Sequence, residues 1–167
     1  PEIDAEIIAS ALSVCKELGL TDLKLMLNSV GCGECRPQYL KALKDYFKEK
    51  KNLLCADCKE RYEQNPLRIL DCKKEKCRIV IKGCPSIFDY LCQDCTDHFK
   101  TLTYCLDNVG ITYQVNPLLV RGLDYYTKTA CEIISEQLGA QNAVCGGGRY
   151  DYLVEELGGK HTPAVGF

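Results

Sequence analysis

No apolar run in this chain approaches the roughly 20 residues needed to cross a bilayer. The longest, such as Ile7 to Val14, fall far short, so no membrane segment is expected. The start, Pro1-Glu2-Ile3-Asp4-Ala5-Glu6, is acidic and lacks the basic-then-apolar order of a secretory signal. It also lacks an initiator Met, and pattern is already under way at both ends, so the expectation is a piece of a longer protein. Histidine is scarce. His98 follows Cys95 on an expected helix and reads as a surface or supporting residue, His161 lies in a Gly-Lys-His-Thr-Pro loop, and neither has a partner arrangement typical of catalysis. A formal net charge of -2 carries no global nucleic-acid signal, and neither an internal repeat nor a low-complexity tract is found.

What is present is more informative. The 167 residues suffice for a core of their own, as one domain or a domain with a sizeable insert. Thirteen cysteines would suggest a disulfide scaffold in a small secreted protein, but the large aliphatic complement and the missing signal favour reduced thiols in the cytoplasm. Charge is unevenly spread. Residues 34–82 hold 14 Lys and Arg against 8 Asp and Glu, which suits either a phosphate-facing surface or a solvated helical face.

Asp4 is expected to cap a helix with Ile7, Ile8, Ala11, Leu12, Cys15 and Leu18 at helical spacing, ending at Gly19. Leu23, Leu25 and Leu27 then alternate as in a strand. After Gly31, Pro37 opens a helix to about Lys51, a shorter one covers Ala56 to Tyr62, and Asn65-Pro66 breaks it. Ser86 with Asp89 makes a capping-box-like start for a helix through Leu91, Leu102 and Leu106 to Gly110. Strand-like pattern follows at 111–115, 118–121, 126–134 and 143–145, with a short helix around Tyr152 to Leu157. The expected fold is α+β, with the flanks, residues 1–31 and 115–167, pairing in one antiparallel sheet around a mostly helical, cysteine-rich insertion, residues 32–114.

Two segments carry most of the chemistry: Val120-Arg121-Gly122-Leu123-Asp124-Tyr125-Tyr126-Thr127, and Cys145-Gly146-Gly147-Gly148-Arg149-Tyr150-Asp151. An Arg beside paired tyrosines, with a Gly-rich turn carrying a second Arg-Tyr pair, can grip an anion and a small polar ring side by side. Read without company, Arg-Gly-Leu-Asp could be a turn with an internal ion pair and the glycines an ordinary turn. Together these segments closely resemble the two signature motifs of histidyl-tRNA synthetases. Leu27-Asn28-Ser29-Val30-Gly31, Asn65 to Asp71 and Thr162-Pro163-Ala164-Val165-Gly166-Phe167 fall in the family's order, so the resemblance covers essentially the whole chain.

The resemblance implies part of a class II synthetase catalytic domain, which activates histidine with ATP and Mg2+ and transfers it to tRNA(His), as a homodimer when full length. Arg121 matches the catalytic Arg assigned to the ATP α-phosphate, and its planar guanidinium suits phosphate and carboxylate oxygens at once. Tyr126 and Tyr150 resemble the residues that read the histidine imidazole, with Tyr125, Gly146, Gly147, Gly148, Arg149 and Gly166 as further binding positions. Tyr125 is expected to point away from Tyr126 if both lie on a strand. Tyr39, Tyr46, Tyr104 and Tyr113 suit an amphipathic core role instead. Tyr152 stands where the family often has Gly, which puts the local turn in doubt. The family's other ATP-binding segments would precede Pro1 and follow Phe167, so the chain alone is not expected to complete the reaction.

Cys32 and Cys35, Cys55 and Cys58, Cys72 and Cys77, and Cys92 and Cys95 form four close pairs. A four-thiolate zinc site needs two such pairs, so eight ligands would fill two sites, while the spacing leaves the pairing open. The alternative is reduced, partly buried cysteines, as expected for Cys15, Cys84, Cys105, Cys131 and Cys145. Two rival functions remain: a histidine-binding regulatory paralogue of the synthetase, against which Arg121, Tyr150 and the insert argue, and a zinc-dependent nucleic-acid-binding module.

Overall fold

The computed structural model describes residues 1–122, 125–135, 138 and 142–167 of the chain. Its elements are α1 (Glu2–Glu17), β1 (Leu23–Gly31), α2 (Arg36–Lys48), α3 (Ala56–Gln64), α4 (Glu75–Ile81), α5 (Gln93–Asn108), β2 (Tyr113–Val115), β3 (Thr127–Ser135), β4 (Ala143–Arg149), α6 (Leu153–Glu156) and β5 (Val165–Gly166). The strands form one sheet in the order β2-β1-β3-β4-β5. Every neighbour pair is antiparallel except β1 with β2, which are parallel from Leu25↔Tyr113 to Leu27↔Val115. A parallel pair requires a long crossover. Here the crossover is the whole segment from α2 through α5.

Alternation on the strands decides which face is covered. Leu25 and Leu27 of β1 and Cys131 and Ile133 of β3 pack against Ile8, Ala11, Leu12 and Cys15 of α1 and against Leu102 and Leu106 of α5. These apolar residues recur at helical spacing on α1 and α5 and at every second position on the strands, so the sheet buries one face under two helices. Each large side chain buried this way contributes about 1.5–3 kcal/mol of transfer free energy. A second core lies in the excursion between β1 and α5. There Tyr39, Leu43 and Phe47 of α2 meet Leu54, Ile69, Val80, Ile81 and Ile87, with Cys55, Cys58, Cys72 and Cys77 among them. Helix α5, expected within the insertion, packs its own apolar face on the sheet.

Several local expectations are corrected. Asp4 is not a cap: α1 begins at Glu2, and the Asp4 side chain is wholly buried. Ser86 caps a single 3-10 turn, accepting the Phe88 N–H at 3.3 Å, and α5 starts afresh after Cys92. Residues 118–121 form no strand; Asn28 Nδ2 instead bonds the Leu119 carbonyl at 2.9 Å and holds that segment against β1. Helix α4 was not anticipated. Tyr39 buries its ring and Tyr46 partly buries its own, their hydroxyls donating to the Pro85 and Val80 carbonyls, but Tyr104 is exposed.

The buried Asp4 carboxylate draws four elements together. His98 Nε2 of α5 lies 2.9 Å from its Oδ2, Thr129 Oγ1 of β3 donates to the same oxygen, and Arg149 of β4 bonds both oxygens. Burial raises its pKa, but the bonds from His98, Arg149 and Thr129 outweigh that and hold it far below the usual carboxylate range. A carboxyl depressed in this way adds stability above its unfolded pKa of about 3.9 and loses it as pH falls toward the folded value. Removing one partner of a buried ion pair costs about 3–5 kcal/mol. Asp4→Ala is therefore expected to lose stability on that scale in urea unfolding at neutral pH, and its gap from the wild type should narrow in acid below about pH 4. An identical pH dependence in both proteins would place the stabilising charge elsewhere.

Candidate functional site

On the face of β3 and β4 turned away from α1, the side chains are small or polar. Ala130 and Glu132 of β3 lie beside Gly146 and Gly148 of β4, and Val30 of β1 with Tyr126 completes a small apolar floor. Arg121 lies against this face, its Nη1 3.0 Å from Glu132 Oε1. A Cβ at Gly146 would fall 2.3 Å from both terminal nitrogens of Arg121, so the guanidinium rests on bare backbone. Only glycine leaves that room.

Three tyrosine rings gather next to it. Tyr125 and Tyr126 lie 4.7 Å apart and tilted by 33°, and Tyr150 stands edge-on to both, 5.9 Å and 6.3 Å away. Tyr125 thus does not point away from Tyr126: β3 begins only at Thr127, and strand alternation does not apply to the two tyrosines. Burial, aided by the hydrogen bond with Tyr125 and opposed by Arg121, raises the Tyr126 pKa, so its hydroxyl stays protonated at neutral pH. The hollow bounded by Val30, Arg36, Val120, Arg121 and Tyr126 measures about 20 Å³. That is space for about one water, so a ligand ring can enter only if side chains shift. A larger cleft of about 850 Å³ separates this face from the inserted lobe, with Lys73, Arg78 and Lys82 on one wall and Val120, Glu132 and Asn116 on the other.

Arg149 lies apart from this group. It turns to the helical face, bonding Asp4 and, through Nη1, Asp151 at 2.9 Å. These carboxylates raise its pKa against the effect of burial. Gly147 packs its backbone against Gly166, and the Tyr150 hydroxyl would lie 2.7 Å from a Cβ at Gly166. Leu123 and Asp124 are outside the described residues, so the suggested ion pair within Arg-Gly-Leu-Asp is too; the observed partner of Arg121 is Glu132. Sequence reasoning missed Glu132, whose signal was its place on the opposite side of the strand alternation from Cys131. It also missed Arg36, which donates to the Val30 carbonyl at 2.9 Å, the Gly31 carbonyl at 3.1 Å and the Tyr126 carbonyl. His98 is likewise buried beside Asp4, whereas His161 meets Glu155 in the open.

The eight paired cysteines fall into two groups of four: Cys32, Cys35, Cys92 and Cys95, and Cys55, Cys58, Cys72 and Cys77. Within each group the sulfurs all lie within 4.8 Å of one another. All thirteen cysteines are free of disulfides, and of the remaining five Cys15 and Cys131 are buried on the helical face.

Helices on one face of a mostly antiparallel sheet, with an arginine and three tyrosines on the other, define an α+β domain. The chain belongs to the histidyl-tRNA synthetase family, whose model matches residues 73–167. It is 58% identical over 164 residues to the histidine–tRNA ligase of Caldanaerobacter subterraneus subsp. tengcongensis, covering 98% of this chain and 39% of that protein. It is 54% identical to the histidine–tRNA ligase of Halothermothrix orenii, covering 100% of this chain and 40% of the relative. The crystal structure of apo histidyl-tRNA synthetase from Staphylococcus aureus superposes with a TM-score of 0.74 at 34% identity, over 99% of this chain and 40% of that one. The chain thus spans about two fifths of the length of these relatives. A Bacillus halodurans protein described as an ATP phosphoribosyltransferase regulatory subunit/histidyl-tRNA synthetase shares the fold at 21% identity and a TM-score of 0.55.

The glycines of β4 are expected to respond unequally. Gly146→Ala meets only the end of the Arg121 side chain, which can swing away, so its urea midpoint should stay near that of the wild type. Gly147→Ala meets the Gly166 carbonyl oxygen at 2.2 Å, and backbone cannot yield as cheaply. A loss of about 1–3 kcal/mol, the scale for overpacking, is expected there. The opposite order in unfolding experiments would mean that Arg121 is held too firmly to move.

Proposed function

We propose that this chain supplies the histidine- and adenylate-binding part of a histidine–tRNA ligase. The observation that carries the reading is Arg121, held by Glu132 over bare backbone beside the three tyrosines on the open face of the sheet. Joining a carboxylate to the α-phosphate of ATP builds negative charge around phosphorus, and a preorganised guanidinium meets that charge without reorganising. Glu132 orients Arg121 through one contact at 3.0 Å. Tyr126 and Tyr150, nearly perpendicular, offer a ring face and hydroxyls to an imidazole once the hollow between Arg121 and Tyr126 opens. A site that bonds both imidazole nitrogens penalises analogues lacking them, because its own buried groups then go unpaired. Arg149 serves this site indirectly, by tying β4 to α1 through Asp4 and so placing Tyr150.

In this reading the substrates are histidine, ATP with Mg2+ and tRNA(His), the compartment is the cytoplasm, and the complete enzyme is a homodimer. Among the described residues no helix is long and apolar enough to cross a membrane. The inserted unit is taken as the lobe with its own core, residues 32–92, with α5 assigned to the catalytic sheet on which it packs. The cations of that lobe that face the cleft, Lys73, Arg78 and Lys82, suit the phosphates of an acceptor stem. The regulatory-paralogue reading fits less well, since the chain carries both Arg121 with its partner and a complete lobe.

Placed in an enzyme of full family length, Arg121→Ala is expected to slow histidine-dependent pyrophosphate exchange by roughly 10²- to 10³-fold, the scale for losing one charge-stabilising donor. An undiminished rate would remove Arg121 from the transition state. Neutralising Lys73, Arg78 and Lys82 together should raise the KM for tRNA and flatten its salt dependence while sparing that exchange. Equal losses in activation and charging would make the cleft cations structural.

A further inference from the structure

We propose that the two cysteine groups are four-thiolate zinc sites with different jobs, the first clamping the neck of the lobe and thereby positioning the Tyr126 segment, the second stapling the lobe itself. Sulfur geometry is the first support. Cys32 Sγ lies 3.7 Å from Cys35 Sγ and 3.7 Å from Cys92 Sγ, and Cys35 Sγ lies 3.8 Å from Cys95 Sγ. In the second group Cys55 Sγ and Cys72 Sγ are 3.9 Å apart. Four sulfurs about 2.3 Å from a tetrahedral zinc stand about 3.8 Å from one another. A disulfide would bring two of them to about 2.05 Å, and a cubane iron–sulfur cluster would hold them much farther apart. Each group also turns a backbone N–H onto sulfur, from Cys32 to Cys35 Sγ at 3.3 Å and from Cys55 to Cys77 Sγ at 3.2 Å. Such bonds stabilise thiolates, the form that binds metal.

Position separates the two roles. Cys32 and Cys35 stand where the chain leaves β1 and enters α2; Cys92 and Cys95 stand where it returns into α5. An ion there closes the neck of the excursion. Cys95 continues into the helix that carries His98 to Asp4, and Lys128 at the start of β3 pairs with Asp94, between the two cysteines, at 2.7 Å. Cys35 immediately precedes Arg36, whose guanidinium holds the C-terminal end of β1 and the Tyr126 carbonyl. A Cβ on Gly31 would lie 2.9 Å from Cys35 Sγ, so the strand end and the sulfur are packed as closely as glycine permits. The first ion therefore sets Arg36, and Arg36 sets the backbone beneath the tyrosines; Arg36 is a positioning residue. The second group lies wholly within the lobe core, with Cys55 and Cys58 at the start of α3, Cys77 in α4 and Cys72 between them. Among the described residues, its sulfur contacts stay within the lobe.

The test uses the 167-residue chain purified without chelator, with zinc measured by elemental analysis and backbone protection by hydrogen-exchange mass spectrometry. About two zinc ions per chain are expected, since each closed site takes four ligands. Cys35→Ser with Cys92→Ser should leave about one ion and raise exchange at Tyr126 to Ala130 at least tenfold while the lobe stays protected. Cys58→Ser with Cys72→Ser should also leave about one, but with the lobe exposed and the Tyr126 segment unchanged. Because a double variant can misfold, stripping the wild type with chelator and restoring zinc should remove and return the same protection, and Cys92→His, which keeps a ligand, should retain two ions. A zinc-free chain with every thiol titratable and both regions protected would overturn both sites. Two ions in the wild type and one in the neck variant, with the Tyr126 segment of that variant still protected, would overturn the clamp alone.

Discussion

A single buried carboxylate sets the terms for everything around it. Asp4 has no contact with solvent and is satisfied by His98, Thr129 and Arg149, which come from α5, β3 and β4. An ionised carboxylate in such a place is tolerable only when fully bonded. All four elements must therefore arrive together, and in one register. A slip of one residue in β3 would turn Thr129 to the other face. Because Arg149 is the last residue of β4 and Tyr150 follows it directly, the ionic junction beneath the sheet and the aromatic surface above it are fixed by the same stretch of chain.

The opposite face is shaped by what the strands leave out. Gly146 and Gly148 leave β4 bare where Arg121 and Tyr126 approach, while Cys131, Ile133 and Cys145 fill the helical side. The sheet thus has one face sealed by helices and another on which Arg121 and the tyrosines gather, and β3 serves both through alternate residues. Glu132 shows the division best, since its neighbours Cys131 and Ile133 are core and its own carboxylate orients Arg121. The lobe adds the other wall of the cleft and has an apolar core of its own, against which Leu118 and Val120 also pack.

Much of this was legible in the chain. The alternation of Leu23, Leu25 and Leu27, the strand from Thr127, and the helical spacing of Ile8, Ala11, Leu12 and Cys15 all reflect one-sided burial, which sequence patterns record directly. The errors fall where the decisive partner is distant in sequence. Asp4 looked like a cap because a short acidic side chain near a helix start usually is one; its partners lie 94, 125 and 145 residues away. Ser86 opened a turn and not a helix because Cys92 sets the start of α5. Residues 118–121 have a strand's composition but are held by the Asn28 side chain in place of a ladder. The same distance explains why four cysteine pairs were visible while their assortment into two groups was not.

The long excursion between β1 and β3 also has a consequence for the order in which the molecule assembles. Gly31 must find Lys128, and Leu23 must find Ser135, across the whole insertion. Non-local pairing of that kind is slow, because the entropy of closing the loop comes due before the ladder returns anything. The lobe, by contrast, is built from neighbours in sequence, Tyr39 to Ile87, and can condense early. Once compact, it shortens the effective distance between the two strand-forming segments. The insertion then acts during folding as a splint that brings β3 to β1.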